Sequence, residues 1–128
     1  MPTNKPLEKS IENVLRKAVE AEGGLCLKWT CPGHRGVPDR MILFPGGIIA
    51  FVELKRPGAK VKAGGLQEWW RQRLVEFGFP CYEISTAEEA RDAAANLSQE
   101  SFMTQMANAD DAESDWSDDN GCPYEIDD

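Results

Sequence analysis

The sequence predicts an α/β fold: a mixed β-sheet flanked by helices in the order α-β-β-β-α-β-α. Three observations carry that prediction. Apolar residues recur at helical spacing in three separate stretches. Four short apolar runs bounded by Gly and Pro lie between them and read as strands. A helical stretch separates the last two of those runs, which makes their connection a parallel, right-handed crossover. The 128 residues suffice for one modest domain with one core.

Residues 6–22, "PLEKSIENVLRKAVEAE", form the first helix, with Ile11, Val14, Leu15, Ala18 and Val19 on its apolar face and Gly23-Gly24 ending it. "LCLKWT" follows as a strand, and "CPGHRGVP" is a loop. "DRMILF" and "IIAFVELK" flank "PGG", a hairpin signal. The second of these is apolar on both faces, as expected of a central strand covered on both sides. "RPGAKVKAGG" is a basic loop, and "LQEWWRQRLVEFG" is a helix whose apolar stripe is Leu66, Trp69, Trp70, Leu74 and Phe77. That stripe places Trp69 and Trp70 in the core, with a dimer surface or a base-stacking surface as the alternatives. "FPCYEIS" is the fourth strand. "TAEEARDAAANLSQ" is the third helix, opened by a capping box of Thr86 and Glu89. Apolar periodicity stops near residue 99. The expected organisation is therefore a domain over 1–98 and an acidic, disordered tail over 99–128.

The net charge of −8 conceals two opposed halves. All 14 Lys and Arg and 12 of the 22 acids lie in residues 1–98; the other ten acids lie in the tail. Residues 28–73 carry nine basic residues against three acids, a surface suited to a polyanion. The tail would either cover that surface by mimicking DNA, dock a protein partner, or simply solubilise the chain. No apolar run is long enough to span a membrane, and the polar N-terminus has no signal-peptide core, so a cytoplasmic location is expected, the cytosol of whatever host cell makes the chain. The four cysteines include no Cys-x-x-Cys. Cys26, Cys31 and His34 match no common zinc spacing, and Cys26 and Cys81 are expected as small buried residues.

The hairpin "GVPDRMILFPGGIIAFVELKRPG" carries the chemistry. Asp39 and Glu53 are equidistant from Gly46, so a pairing symmetric about that glycine sets them directly opposite each other on one face. Lys55, two residues on, shares the face. Facing carboxylates repel, and a hard divalent cation removes the repulsion by taking both, together with a carbonyl oxygen such as that of Leu54 and water. A two-residue Gly46-Gly47 turn would put the acids on opposite faces, so an odd-length loop or a bulge is required.

Pro38-Asp39 followed by Glu53-Leu54-Lys55 resembles the PD-(D/E)xK nuclease signature. The Glu-bearing first helix ending in Gly-Gly, the "PGHRGVPDR" loop, the hairpin and the Gln-bearing "LQEWWRQRLVEFGF" helix are together similar to the VRR-NUC branch, the virus-type replication-repair nucleases, in its stand-alone phage form. The match covers about residues 7–85. It implies a restriction-endonuclease-like core and a Mg²⁺- or Mn²⁺-dependent endonuclease acting on DNA. Branched or Holliday-junction substrates in phage replication and repair are the expected target, cut by a homodimer. On the family pattern Asp39, Glu53 and the Leu54 carbonyl hold the metal, Lys55 assists the attacking water, and Gln67 is the helix glutamine near the metal or phosphate. The first-helix acid is Glu12 or Glu8: Glu12 suits the resolvase-like distance to the helix end and is preferred, while Glu8 suits the longer VRR-NUC spacing. Arg35, Arg40, Arg56, Lys60, Lys62, Arg71 and Arg73 are candidates for phosphate contacts. A non-catalytic DNA-binding module that keeps the fold is the rival reading.

Overall fold

The computed structural model describes residues 4–56 and 65–111. Its elements follow the expected order: α1 (Asn4–Ala21), β1 (Leu25–Lys28), β2 (Arg40–Phe44), β3 (Ile48–Leu54), α2 (Leu66–Glu76), β4 (Cys81–Ile84) and α3 (Ala87–Asp111). The four strands form one sheet in the order β1-β2-β3-β4. The first two pairings are antiparallel and β3–β4 is parallel, as the helical crossover requires.

Each helix is built on its apolar spacing. Ile11, Leu15 and Val19 recur every fourth residue on α1, and all three are buried. The helix ends in a Schellman motif, with Gly24 N–H donating to the Val19 carbonyl at 2.9 Å and Gly23 N–H to the Glu20 carbonyl at 3.0 Å. On α3 the buried positions are Ala90, Ala93, Ala94, Leu97 and Ser101. Small side chains there let α3 lie close to α1 and the sheet. With Cys26, Ile42, Phe44, Ala50, Val52 and Ile84 they make one core on the α1/α3 side of the sheet. Burying each large aliphatic of this set contributes about 1.5–3 kcal/mol. The Thr86–Glu89 capping box forms as expected, Glu89 N–H donating to Thr86 Oγ1 at 3.1 Å and Thr86 N–H to Glu89 Oε1 at 3.2 Å. The hydrogen bonds that Glu89 accepts hold its carboxyl below the usual range.

Two expectations are corrected. The third helix does not stop near residue 98 but continues to Asp111. Beyond 98 the helix is anchored by one small polar residue rather than an apolar stripe: Ser101 is buried and its hydroxyl donates to the Pro45 carbonyl at 2.5 Å. Residues 112–128, with the rest of the acidic tail and Cys122, lie outside the described residues. The apolar stripe of α2 is also not a core stripe. Leu74 is buried, but Leu66 is 54% exposed, Trp69 49% and Phe77 71%. The sheet face beneath α2 is already filled by Trp29, Phe51 and Phe79, whose rings meet at 4.8 and 5.8 Å around Phe51.

The hairpin turn is Pro45-Gly46-Gly47, three residues long, with φ of +93° at Gly46 and +79° at Gly47. Only glycine takes such angles without strain. The resulting register pairs Arg40 with Val52 and Phe44 with Ile48, symmetric about Gly46. The odd-length loop required by the sequence is therefore present. Among the described residues, no helix is long and apolar enough to cross a membrane.

Candidate active site

The pleat of the hairpin sorts its side chains. Ile42, Ala50 and Val52 point to the α1/α3 core. Residues of the other parity, Asp39, Phe51, Glu53 and Lys55, point to the α2 side. The last regular pair is Arg40 with Val52, and Asp39 N–H donates to that same Val52 carbonyl at 2.9 Å, so the pairing ends in a bulge that brings Asp39 alongside the end of β3. One Asp39 carboxylate oxygen accepts the Leu54 N–H at 2.8 Å. Lys55 Nζ lies 2.6 Å from Gln67 Oε1 on α2 and 3.7 Å from Glu53 Oε2. The two acids, the lysine and the glutamine thus come from three elements and meet at the end of β3.

They open into a cleft of about 350 Å³ lined by Glu8, Glu12, Lys28, Asp39, Glu53, Leu54 and Gln67. The cleft wraps round the end of the sheet, taking Glu8 and Glu12 from α1 and Gln67 from α2. Both first-helix candidates therefore reach it, but they are bound differently. Arg40 Nε donates to Glu12 Oε2 at 2.7 Å and Arg40 Nη1 to the Cys26 carbonyl at 3.0 Å. Glu8 has only a 3.9 Å contact with the exposed Arg56.

Crowding of acids sets the electrostatics. Loss of solvent around Glu53 pushes its carboxyl up to about 7, with the facing Asp39 charge adding to the rise and Lys55 opposing it. Partial burial also raises Asp39; the Leu54 N–H works against that rise, and Glu12 and Glu8 add to it.

The expected phosphate contacts separate into distinct groups. Arg40 is turned inward to Glu12 with only 15% of its side chain exposed, so it is a part-buried ion-pair partner rather than an outward phosphate contact. Its parity explains this, since it shares a face with Ile42 and the α1 side. Arg35 is exposed on the loop, and its carbonyl accepts the Trp70 indole N–H at 2.9 Å. Arg56 is exposed beside Glu8. Arg71 borders a small cavity behind Glu53 and Gln67. Arg73 is paired with Glu76 at 2.7 Å and rests 5.4 Å over the Trp69 ring. Lys60 and Lys62 lie outside the described residues.

The sequence reading missed two members of the site. Lys28 lines the cleft from β1, and Glu83 stands beside Glu53 across the parallel β3–β4 pairing, where its charge adds to the rise of the Glu53 carboxyl. Both depend on registers set by irregular connections, which no local pattern reveals. Cys26 is buried as expected and burial raises its thiol; Cys81 is half-buried and raised for the same reason. His34 is exposed near the Pro32 carbonyl, at 3.5 Å.

No family model matches the chain. A protein described as "Putative nuclease p44", of Acyrthosiphon pisum secondary endosymbiont phage 1, is 48% identical over 71 residues, which are 56% of this chain and 74% of that protein. A solved structure described as a VRR_NUC domain is similar with a TM-score of 0.58 and 27% identity, over 66% of this chain and 90% of that one. The fold, the relative and the solved structure agree: the chain belongs to the VRR-NUC family of nucleases.

Proposed function

We propose that this nuclease is a Mg²⁺- or Mn²⁺-dependent endodeoxyribonuclease acting on branched DNA of the junction type. The observation that carries the metal-dependent reading is the pair of neighbouring carboxylates, Asp39 and Glu53, in one cleft, with Lys55 held beside them by Gln67. Branched DNA and a homodimer able to cut two strands are supported by the family resemblance.

The donor set fits a hard divalent ion. Among the described residues no three His, Cys, Asp or Glu side chains converge into a cluster by themselves. The two carboxylates are therefore the side-chain ligands at hand, and carbonyl oxygen and water complete a shell of the Mg²⁺ type. Leu54 borders the same cleft and is the candidate for the carbonyl. Loss of solvent and the nearby Asp39 charge push the Glu53 carboxyl up to about 7, and a cation beside it offsets both causes. A bound ion supplies Lewis-acid stabilisation of the charge that develops on the phosphoryl oxygens during in-line attack.

The chain's own residues do the rest. The Leu54 N–H fixes the Asp39 carboxylate. Gln67 accepts from Lys55 and so aims its ammonium along the α2 side of the cleft, where it orients the attacking water and offsets phosphate charge. Glu12 is occupied by Arg40 at 2.7 Å, whereas Glu8 has only the 3.9 Å contact with exposed Arg56, which favours Glu8 over Glu12 as the first-helix acid that faces the ion or its waters. Arg35, Arg56 and Arg71 are the proposed contacts to the backbone of the substrate.

A panel of linear, splayed, flap and four-way-junction DNAs, incubated with and without Mg²⁺, tests this. Metal-dependent cutting strongest on the junction, lost in Glu53→Ala and Lys55→Ala, is expected. Binding without any metal-dependent cutting would leave a non-catalytic DNA-binding module instead.

A further inference from the structure

The exposed half of α2 has a shape that the nuclease reading has not used. A groove of about 620 Å³ runs between the Gly33–Arg35 loop and the first turns of α2, lined by His34, Arg35, Leu66, Trp69 and Trp70. Its walls are rigid. Trp70 is tied to the loop through its indole N–H on the Arg35 carbonyl, and Gly36 lets the loop press on the helix, since a Cβ there would lie 2.7 Å from that of Leu66. Ring contacts continue from Trp69 to Trp70 at 5.2 Å, from Trp70 to Trp29 at 6.4 Å and from Trp29 to Phe51 at 4.8 Å. Phe51 is two residues before Glu53 on the same face of β3. Trp69 and Trp70 likewise follow Gln67 on one helix, so the groove and the cleft share both of their supports.

The groove's chemistry is mixed. It offers flat aromatic surface in Trp69, which keeps about half its surface open at 49%, and cationic or imidazole groups in Arg35 and His34. A core surface has no use for the cations, and a simple phosphate track has no use for the indoles. Aromatic rings interleaved with basic groups are what an unpaired nucleotide needs: a π-face for the base and positive charge for its phosphate.

We propose that this groove is a stacking site for an unpaired base of the strand that enters the cleft, with Trp69 as the stacking platform. The site selects single-stranded or frayed DNA next to the cut position. The assignment rests on the nuclease reading for its substrate, but the binding itself needs no metal and no hydrolysis.

The test is therefore made in EDTA with the full chain. Binding of a single-stranded oligodeoxynucleotide is compared with that of an otherwise identical oligonucleotide bearing abasic positions, following anisotropy and tryptophan fluorescence. Wild-type protein is expected to quench and to bind the intact strand about tenfold more tightly than the abasic one. Trp69→Ala is expected to abolish that discrimination and Trp69→Phe to keep most of it. Equal affinities in the wild type, discrimination that survives in Trp69→Ala, or equal losses on both strands would overturn the proposal. A change of oligomeric state in Trp69→Ala by sedimentation would do so as well, assigning the indole to a subunit contact. Failure of Mg²⁺-dependent cutting in an intact binder would sink the metal-dependent reading and leave the stacking site standing.

Discussion

Arg40 Nε lies 2.7 Å from Glu12 Oε2, and the pair closes the α1 side of the cleft. With 15% and 23% of the two side chains exposed, it is largely shielded from screening. Removing one partner leaves the other charge without its match, at a cost of a few kcal/mol for well-buried pairs and about 2–3 kcal/mol here. Arg40→Met should lower the denaturant midpoint by that measure. It should leave the salt dependence of DNA binding unchanged, whereas Arg56→Ala should reduce the log–log salt slope by about 0.9. Equal slopes for Arg56→Ala and wild type would remove Arg56 from the phosphate contacts.

Glu53 gives a pH signature. Its carboxyl titrates near 7 in the folded metal-free protein against 4.5 as its ordinary value. The native state thus binds more protons than the unfolded state between those pH values. Stability falls as pH rises from about 4.5 to about 7 and levels off above, the loss being at most about 3–4 kcal/mol. Glu53→Gln should flatten that slope in urea titrations across this range. Added Mg²⁺ should restore stability at pH 8 and release a proton on binding near pH 7, read by calorimetry in buffers of different ionisation enthalpy.

Lys55 and Gln67 make a second pair whose disruption should separate binding from chemistry. Lys55→Met is expected to reduce the cleavage rate about 100-fold or more while leaving DNA affinity in EDTA within about twofold. Gln67→Ala frees the ammonium without removing it, and a loss of about tenfold in rate is expected. A Gln67→Ala protein as slow as Lys55→Met would mean that Gln67 acts on the substrate directly.

The turn can be tested by stability alone. Gly46 has φ of +93°, and a Cβ there would approach Thr104 Cγ2 of α3 to 3.3 Å. Gly46→Ala should cost about 1–2 kcal/mol from the backbone conformation. Ser101→Ala removes the donor to the Pro45 carbonyl and should cost about 1–2 kcal/mol. Truncation at residue 98 should lose at least as much as Ser101→Ala; a truncated chain of undiminished stability would show the helix extension to be dispensable.

Much of this architecture was legible because local pattern and global fold agree. Ile11, Leu15 and Val19 announce α1, and the Thr86–Glu89 box announces α3. The symmetry of Asp39 and Glu53 about Gly46 announces the hairpin face. What stayed hidden depends on what a face meets. The stripe on α2 has helical spacing, yet Trp29, Phe51 and Phe79 already occupy the sheet beneath it, so Trp69 and Phe77 are left outside. Arg40 looked like any surface cation, and only its position opposite Val52 turns it toward α1. Lys28 and Glu83 reach the site through pairings between distant segments. The extension of α3 to Asp111 rests on a single buried serine in a polar stretch, which carries no periodic signal.

The three-residue turn has one more consequence. The register that brings Asp39 beside the end of β3, where Glu53 stands, also sends Ile42, Phe44, Ala50 and Val52 into the core. A slip of one residue between β2 and β3 would turn the acids apart, and it would also drive that apolar set against Trp29, Phe51 and Phe79 and undo the packing of both faces. A misregistered chain is therefore not a folded protein with a broken site; it is a chain that has failed to fold. Folding thus proofreads the placement of Asp39 beside Glu53.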